Sequence, residues 1–229
     1  MDYLISIGWI LATLSLVILA CYFTKRQAYI TLTALYCTMA VVSAIAATKM
    51  ISIFGLYVPG GVLIYAASFL ITDLISEIYG RKSAIKTVYY GFGAMLVFAG
   101  YSLLIVQWEP APYWTNQDAF ESVVGLSFRI TMAGWIAFLI SQYWDVRVFH
   151  FLKESSVHWI NKHLWIRNCV STITSQLFDS SIFIFISFYG IYDNLGQMIL
   201  AQYLVKVAIA LLDTPFAYWG RNILRNTDN

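Results

Sequence analysis

The sequence predicts an all-α fold: a polytopic bundle of about seven transmembrane helices, N-terminus outside and C-terminus inside. Three observations carry this. The 229 residues are 60% hydrophobic and only 11% charged, whereas a soluble domain is about a quarter charged and under half apolar. Seven apolar runs approach or exceed the roughly 20 residues that cross the hydrocarbon core. Lys and Arg collect in alternate connections between those runs. In water such a composition leaves large apolar patches exposed; in lipid it is ordinary. The length suits one bundle without a second soluble domain, and a net charge of +2 gives no reason to expect a nucleic-acid partner.

The runs are Tyr3–Phe23, Ala28–Ser52, Gly60–Tyr79, Val88–Val106, Phe128–Trp144, Cys169–Tyr189 and Met198–Trp219. The first has Asp2 before it instead of a basic region and lacks a convincing small-x-small cleavage site, so it is read as a membrane helix and not a signal peptide. The fifth is short alone; the helix is expected to begin near Phe120 and end near Phe149. Lys25-Arg26, then Tyr57 to Gly61, then Gly80-Arg81-Lys82, then Glu109-Pro110-Ala111-Pro112 separate successive runs, with Gly80 a plausible helix stop. Val146 to Trp165 mixes Phe149, Phe151, Leu152 and Trp159 with Arg147, Lys153, Glu154 and Lys162. It reads either as an amphipathic segment in the interface plane or as a helical extension followed by a loop.

Orientation follows from the cations. Lys25, Arg26, Arg81, Lys82, Lys86, Arg147, Lys153, Lys162, Arg167, Arg221 and Arg225 fall on one side if the chain starts outside. The loops Ser52–Pro59, Gln107–Glu121 and Tyr192–Gln197 have no Lys or Arg and carry Glu109, Asp118, Glu121 and Asp193. Only an odd number of spans keeps this asymmetry. Trp108, Tyr113, Trp114 and Trp219 stand where an aromatic belt belongs.

Against this background the intramembrane polar residues stand out, because a charge at mid-bilayer costs at least about 2.5–3.5 kcal/mol. The third run has Asp73 and Glu77, four apart and on one helical face. The sixth has Asn168, Ser171, Thr172, Ser175, Gln176, Asp179 and Ser180 at spacings of three and four. The seventh has Gln202, Lys206 and Asp213; the fifth has Arg129, Gln142 and Asp145. Lipid satisfies none of them, so the four stripes are expected to face each other. Simpler roles exist: Ser and Thr as interhelical glue, Asp145 as a solvated cap or a partner of Arg147, Asp213 at a kink before Pro215, Arg129 snorkelling outward. Deep acids and a Lys on different helices go beyond glue and point to a central substrate or ion site.

The chemistry open to that site is restricted. His150, His158 and His163 lie in one connection, and Cys21, Cys37 and Cys169 sit in apolar runs without metal or disulfide spacing. His-Glu-x-x-His, Gly-x-Ser-x-Gly, Gly-x-Gly-Asp and a phosphate-binding glycine loop are all missing, which leaves an intramembrane enzyme as a weak alternative and gives no cofactor. Carboxylates, amides and a Lys with 17% aromatic residues suit a flat polar heterocycle: a carboxylate accepts two N–H bonds from a guanine-like edge, an amide or ammonium donates to its carbonyl, and aromatic faces stack on the ring. A cation or proton pathway uses similar residues.

Ile71 to Ala84, with Asp73, Glu77 and Gly80-Arg81-Lys82, resembles the signature of the queuosine precursor transporter family, grouped with the vitamin uptake transporters. Arg129-Ile-Thr-Met-Ala leading into Gln142–Phe149, Arg167–Ser180, and Gln202–Lys206 followed by Pro215 resemble three further segments of that family in order. The resemblance covers roughly residues 30–222. It implies import of a small 7-deazaguanine, 7-cyano-7-deazaguanine or 7-aminomethyl-7-deazaguanine, across the bacterial plasma (inner) membrane. It also implies a six-helix core (28–229) similar to the substrate-binding subunits of energy-coupling-factor transporters, with residues 1–27 an added N-terminal helix. No obligatory ATPase module is expected; a carrier of another vitamin-like heterocycle that needs such a module is the alternative. A homodimer through Gly91-Phe92-Gly93 or Ala44–Ala47 is possible. The expected substrate-binding residues are Asp73, Glu77, Arg129, Gln142, Asp145, Asn168, Gln176, Asp179, Gln202 and Lys206. In this scheme Asp179 or Glu77 accepts the N1–H and 2-amino group, Gln176 and Asn168 complete the base edge, and Lys206 pairs with Asp73 or Asp179.

Overall fold

The computed structural model describes residues 2–53, 55–153 and 164–225. Among these, seven α-helices carry the chain: α1 (Asp2–Thr24), α2 (Ala28–Ala46), α3 (Gly61–Tyr79), α4 (Arg81–Gln107), α5 (Gln117–Lys153), α6 (Leu164–Phe188) and α7 (Leu195–Arg225). Five segments are long and apolar enough to cross a membrane: Ile7–Thr24, Ala28–Ala46, Gly61–Tyr79, Lys82–Gln107 and Gln117–Ser141. Among the described residues α6 and α7 carry the shorter apolar stretches Ile173–Phe188 and Leu195–Ile209. The molecule is thus a helical membrane bundle.

Helix boundaries follow local chemistry. Gly80, at φ +83°, ends α3 in a conformation that L side chains avoid and serves as N-cap of α4, with its carbonyl accepting the Ser83 amide at 3.0 Å. α4 therefore begins at Arg81, seven residues before the expected apolar start. α5 runs on to Lys153, so the first half of the amphipathic 146–165 stretch is helical extension; 154–163 lie outside the described residues.

The second run differs from expectation. α2 stops at Ala46, and Ala47–Ser52, expected to continue it, turns into a β-hairpin: β1 (Met50–Ile53) pairs antiparallel with β2 (Leu56–Pro59), Met50 opposite Pro59 and Ile53 opposite Leu56. Alternating Ile51, Ile53, Leu56 and Val58 suit a strand as well as a helix, and Gly55 at φ +79° supplies the reversal. Ile53 and Val58 are buried, so the hairpin is packed against the bundle. Lys49 precedes it and is one cation on the side expected to have none.

Two hydrophobic cores hold the helices. One joins α1 (Leu14, Val17, Cys21), α2 (Leu32), the hairpin (Val58), α3 (Leu70, Leu74) and α7 (Ile209). The other joins α2 (Ala44) and its C-cap Ala47, α5 (Ile130), α6 (Ile184, Phe188) and the start of α7 (Met198). Small residues allow close helix approach: a Cβ on Gly61 would lie 2.1 Å from the Ser43 carbonyl oxygen, and one on Gly91 would lie 2.3 Å from the Tyr36 ring. The outer surface of α4 exposes Tyr89, Tyr90, Leu96, Val97, Leu104 and Ile105, a face suited to lipid.

Candidate functional site

Between the two cores lies a cavity. Its walls combine Val62 of the first with Ala44, Ala47 and Ile130 of the second, and the polar groups on them are Ser43, Tyr65, Asp179, Gln202 and Lys206. The empty space among the lining side chains, including the open mouth, is about 510 Å³.

Each polar group reaches the cavity by helical spacing. On α7, Gln202 and Lys206 are four apart, one turn, on the face turned from lipid; they are 3% and 6% exposed. On α6, Asp179 and Phe183 are likewise four apart. The Lys206 ammonium donates to Asp179 Oδ2 in a buried ion pair that joins α6 to α7. Ser141 of α5 donates to the other carboxylate oxygen at 3.5 Å, and the Tyr65 ring of α3 lies 5.8 Å from the ammonium. Four helices converge on one neutral pair. Burying two charges is tolerable only when each has a partner, so α6 and α7 are fixed in register here.

Part of the site is left open. Gln202 Oε1 is buried and lacks a hydrogen-bond partner among the described residues. Buried polar atoms are rarely orphaned, and this one lies on the cavity wall. Gly134 faces the same space: a Cβ there would find only Phe183, at 4.0 Å. The arrangement offers a ring two aromatic neighbours, an amide, a carboxylate and a masked cation.

The structure separates residues the sequence grouped. Asp179, Lys206 and Gln202 meet. Gln176, three residues from Asp179, is half-buried; its Oε1 also has no partner among the described residues, and it is not among the cavity-lining side chains. Asp73 and Glu77 line a second cavity with Leu74, Ser76, Ala217, Tyr218 and Arg221. There Glu77 accepts from Arg225 at 2.7 Å, with Arg221 at 3.8 Å. Arg129 is turned to backbone: its guanidinium donates to the carbonyls of Ile186 and Tyr189 at 2.6 and 2.7 Å, closing the last turn of α6, where helix carbonyls lack partners. The side chains of Gln142, Asp145 and Asn168 lie outside what the structure describes. Ser43, Tyr65, Gly134, Ser141 and Phe183 belong to the site and were not singled out in the sequence. For Tyr65 and Phe183 the signal was present: Tyr65 is two four-residue steps before Asp73, and Phe183 one such step after Asp179.

Residues 59–220, which supply most of the lining of both cavities, match the model of the vitamin uptake transporter family. The "Probable queuosine precursor transporter" of Bacillus subtilis (strain 168) is 33% identical over 182 residues, 79% of each chain. The "Queuosine precursor transporter" of Escherichia coli (strain K12) is 26% identical over 167 residues, 71% of this chain and 72% of that protein. No solved structure matches the chain. The apolar helices, the interior polar site and these relatives agree: the chain belongs to the vitamin uptake transporter family and is a multi-pass membrane transporter.

Proposed function

We propose that the protein imports queuosine precursors, 7-cyano-7-deazaguanine or 7-aminomethyl-7-deazaguanine, across the bacterial inner membrane, and that the cavity between the two cores is where the ring binds. The observation that carries this reading is the unpartnered Gln202 oxygen beside a neutralised Asp179–Lys206 pair, between Tyr65 and Phe183. A neutral, flat, N–H-rich ring meets each of these groups. Its N–H donors reach Gln202 and the Asp179 carboxylate, its carbonyl accepts from Lys206, and its faces lie against the aromatic rings. Because the pair is already neutral, the uncharged 7-cyano-7-deazaguanine leaves no net charge buried.

The same reading sets the topology: seven spans with the N-terminus outside, α1 an addition to a six-helix core (28–229) of the kind found in energy-coupling-factor substrate-binding subunits, and no obligatory ATPase module. Asn168 lies eleven residues before Asp179, about 16 Å along an α-helix, too far for one bicyclic ring to touch both. We assign Asn168 to the path and not to the binding cavity. Gln176, one turn from Asp179, is the nearest reserve contact.

The test is tRNA queuosine in bacteria that cannot make the precursor, lack their own importer, and express this protein while receiving 7-cyano-7-deazaguanine. Restoration that is lost with Asp179→Leu combined with Lys206→Met, at unchanged membrane yield, supports both substrate and site. No restoration despite confirmed membrane expression removes the substrate assignment.

A further inference from the structure

The second cavity shares two helices with the first. α3 and α7 pack together. Along α3 the order is Tyr65 in the first cavity, then Asp73 and Glu77 in the second. Along α7 it is Gln202 and Lys206, then Ala217, Tyr218 and Arg221. Tyr65 to Asp73 is eight residues and Lys206 to Ala217 eleven, roughly 12 and 16 Å of helix. Between the cavities α3 presents Leu70 and Ile71, both essentially inaccessible, and α7 presents Ile209, while buried Leu74 forms the wall of the second cavity. The route from one polar cavity to the other is therefore shut by packed apolar side chains.

A proline interrupts α7 beside that closure. Pro215 lies inside α7 between the two cavities. It has no N–H to give to the Leu211 carbonyl, and such a position is where a helix bends. Beyond it, Gly220 sits so tightly that a Cβ would be 2.9 Å from Leu74 Cδ2 and 3.1 Å from Ile18 Cδ1. Just beyond that contact, Glu77 of α3 holds Arg225 and approaches Arg221. These ion pairs are about half exposed, and exposed pairs are weak and readily exchanged with water. A latch that opens in each transport cycle has to be weak in that way.

Resting on the carrier function proposed above, we infer that the end of α7 beyond Pro215 is the inner gate of the transporter. It closes on Leu74 and is latched by Glu77 to Arg225 and Arg221, and the Asp73-lined cavity is the vestibule through which the ring leaves. The central cavity can then fill while the latch is closed, and release requires the latch to open.

The experiment replaces the ion pair with a bond that can be cut. In a background without Cys21, Cys37 and Cys169, Glu77→Cys and Arg225→Cys are joined in proteoliposomes by a bis-methanethiosulfonate cross-linker, each thiolate displacing methanesulfinate to form a reducible disulfide. Uptake of 7-cyano-7-deazaguanine is measured there, and its equilibrium binding in nanodiscs. Linked protein is expected to bind as before but to carry roughly tenfold less or worse, as for other gated steps, and reduction of the same sample restores uptake. Undiminished uptake by linked protein overturns the gate, as does loss of binding along with uptake. If the two cysteines block uptake before linking, the exchange Glu77→Arg with Arg225→Glu decides: regained uptake upholds the latch and continued loss overturns it. Absence of uptake by the unaltered protein shows instead that the carrier function itself fails.

Discussion

The two cavities on the α3–α7 seam use the same residue types in opposite ways. In the first, Asp179 and Lys206 are under a tenth exposed and paired across helices, with Ser141 as a third partner. In the second, Glu77 and Arg225 are about half exposed. Burial decides what each pair is worth. Breaking a buried pair by removing one partner strands a charge and costs about 3–5 kcal/mol, whereas an exposed pair contributes roughly 0–1 kcal/mol. The first pair therefore fixes architecture, and in the proposed scheme it also binds while the second adjusts a conformational equilibrium.

The largest effect is expected at Asp179. Asp179→Ala leaves Lys206 buried without a counter-charge, so both membrane yield and uptake should collapse. The informative companion is Asp179→Leu with Lys206→Met, which removes both charges while keeping volume. Such exchanges are often neutral or stabilising. The double variant is expected to regain thermal stability in detergent and still restore no tRNA queuosine. If it transports, the pair is only a structural link between α6 and α7.

Next comes shape. Gly134 leaves space that Phe183 borders at 4.0 Å, so Gly134→Ala should be mild. Gly134→Leu puts a branched side chain into the cavity itself. Overfilling a packed site costs about 1–3 kcal/mol, which predicts a roughly tenfold or greater rise in the Kd for 7-cyano-7-deazaguanine. Unchanged affinity in Gly134→Leu would place the ring elsewhere.

Gln202 should give effects of opposite sign. Its buried oxygen has no partner among the described residues, and an unmet acceptor burdens the empty protein by about 1–3 kcal/mol. Gln202→Leu removes that burden, so the melting temperature without substrate should rise while affinity falls. A site shaped for its ligand trades stability for function in this manner. If both quantities fall together, Gln202 is a structural amide and not a reader of the ring.

These positions show what a sequence can and cannot convey. Apolar runs and cation placement gave the helices, because length and hydropathy are one-dimensional properties. Spacing identified which face of α6 and α7 turns inward, and so Asp179, Lys206 and Gln202. Periodicity gives a face but not a partner at the same depth. Asp73 and Glu77 share the stripe of Tyr65, yet stand two to three turns further along α3 and line another cavity. Arg129 was legible as an intramembrane cation, but its partners are the backbone carbonyls of Ile186 and Tyr189, and a carbonyl freed at a helix end has no residue signature. The hairpin after Ala46 was hidden because Ile51, Ile53 and Val58 satisfy a membrane helix and a strand alike.

The smallest effect sharpens the comparison most. Glu77→Gln keeps size and hydrogen-bonding capacity and removes only the charge facing Arg225 and Arg221. Since that charge is about half exposed, its loss should change unfolding free energy by no more than roughly 1 kcal/mol, within a few degrees of melting temperature. Equilibrium affinity at the central cavity should not move, because Lys206, Asp179 and Gln202 are untouched and more than two helical turns away along α3 and α7. The uptake rate should change, since the closed position of α7 is held less firmly. A variant equal in stability and affinity but altered in rate assigns Glu77 to motion. A large drop in affinity would join the two cavities into one site, as the shared stripe on α3 first implied.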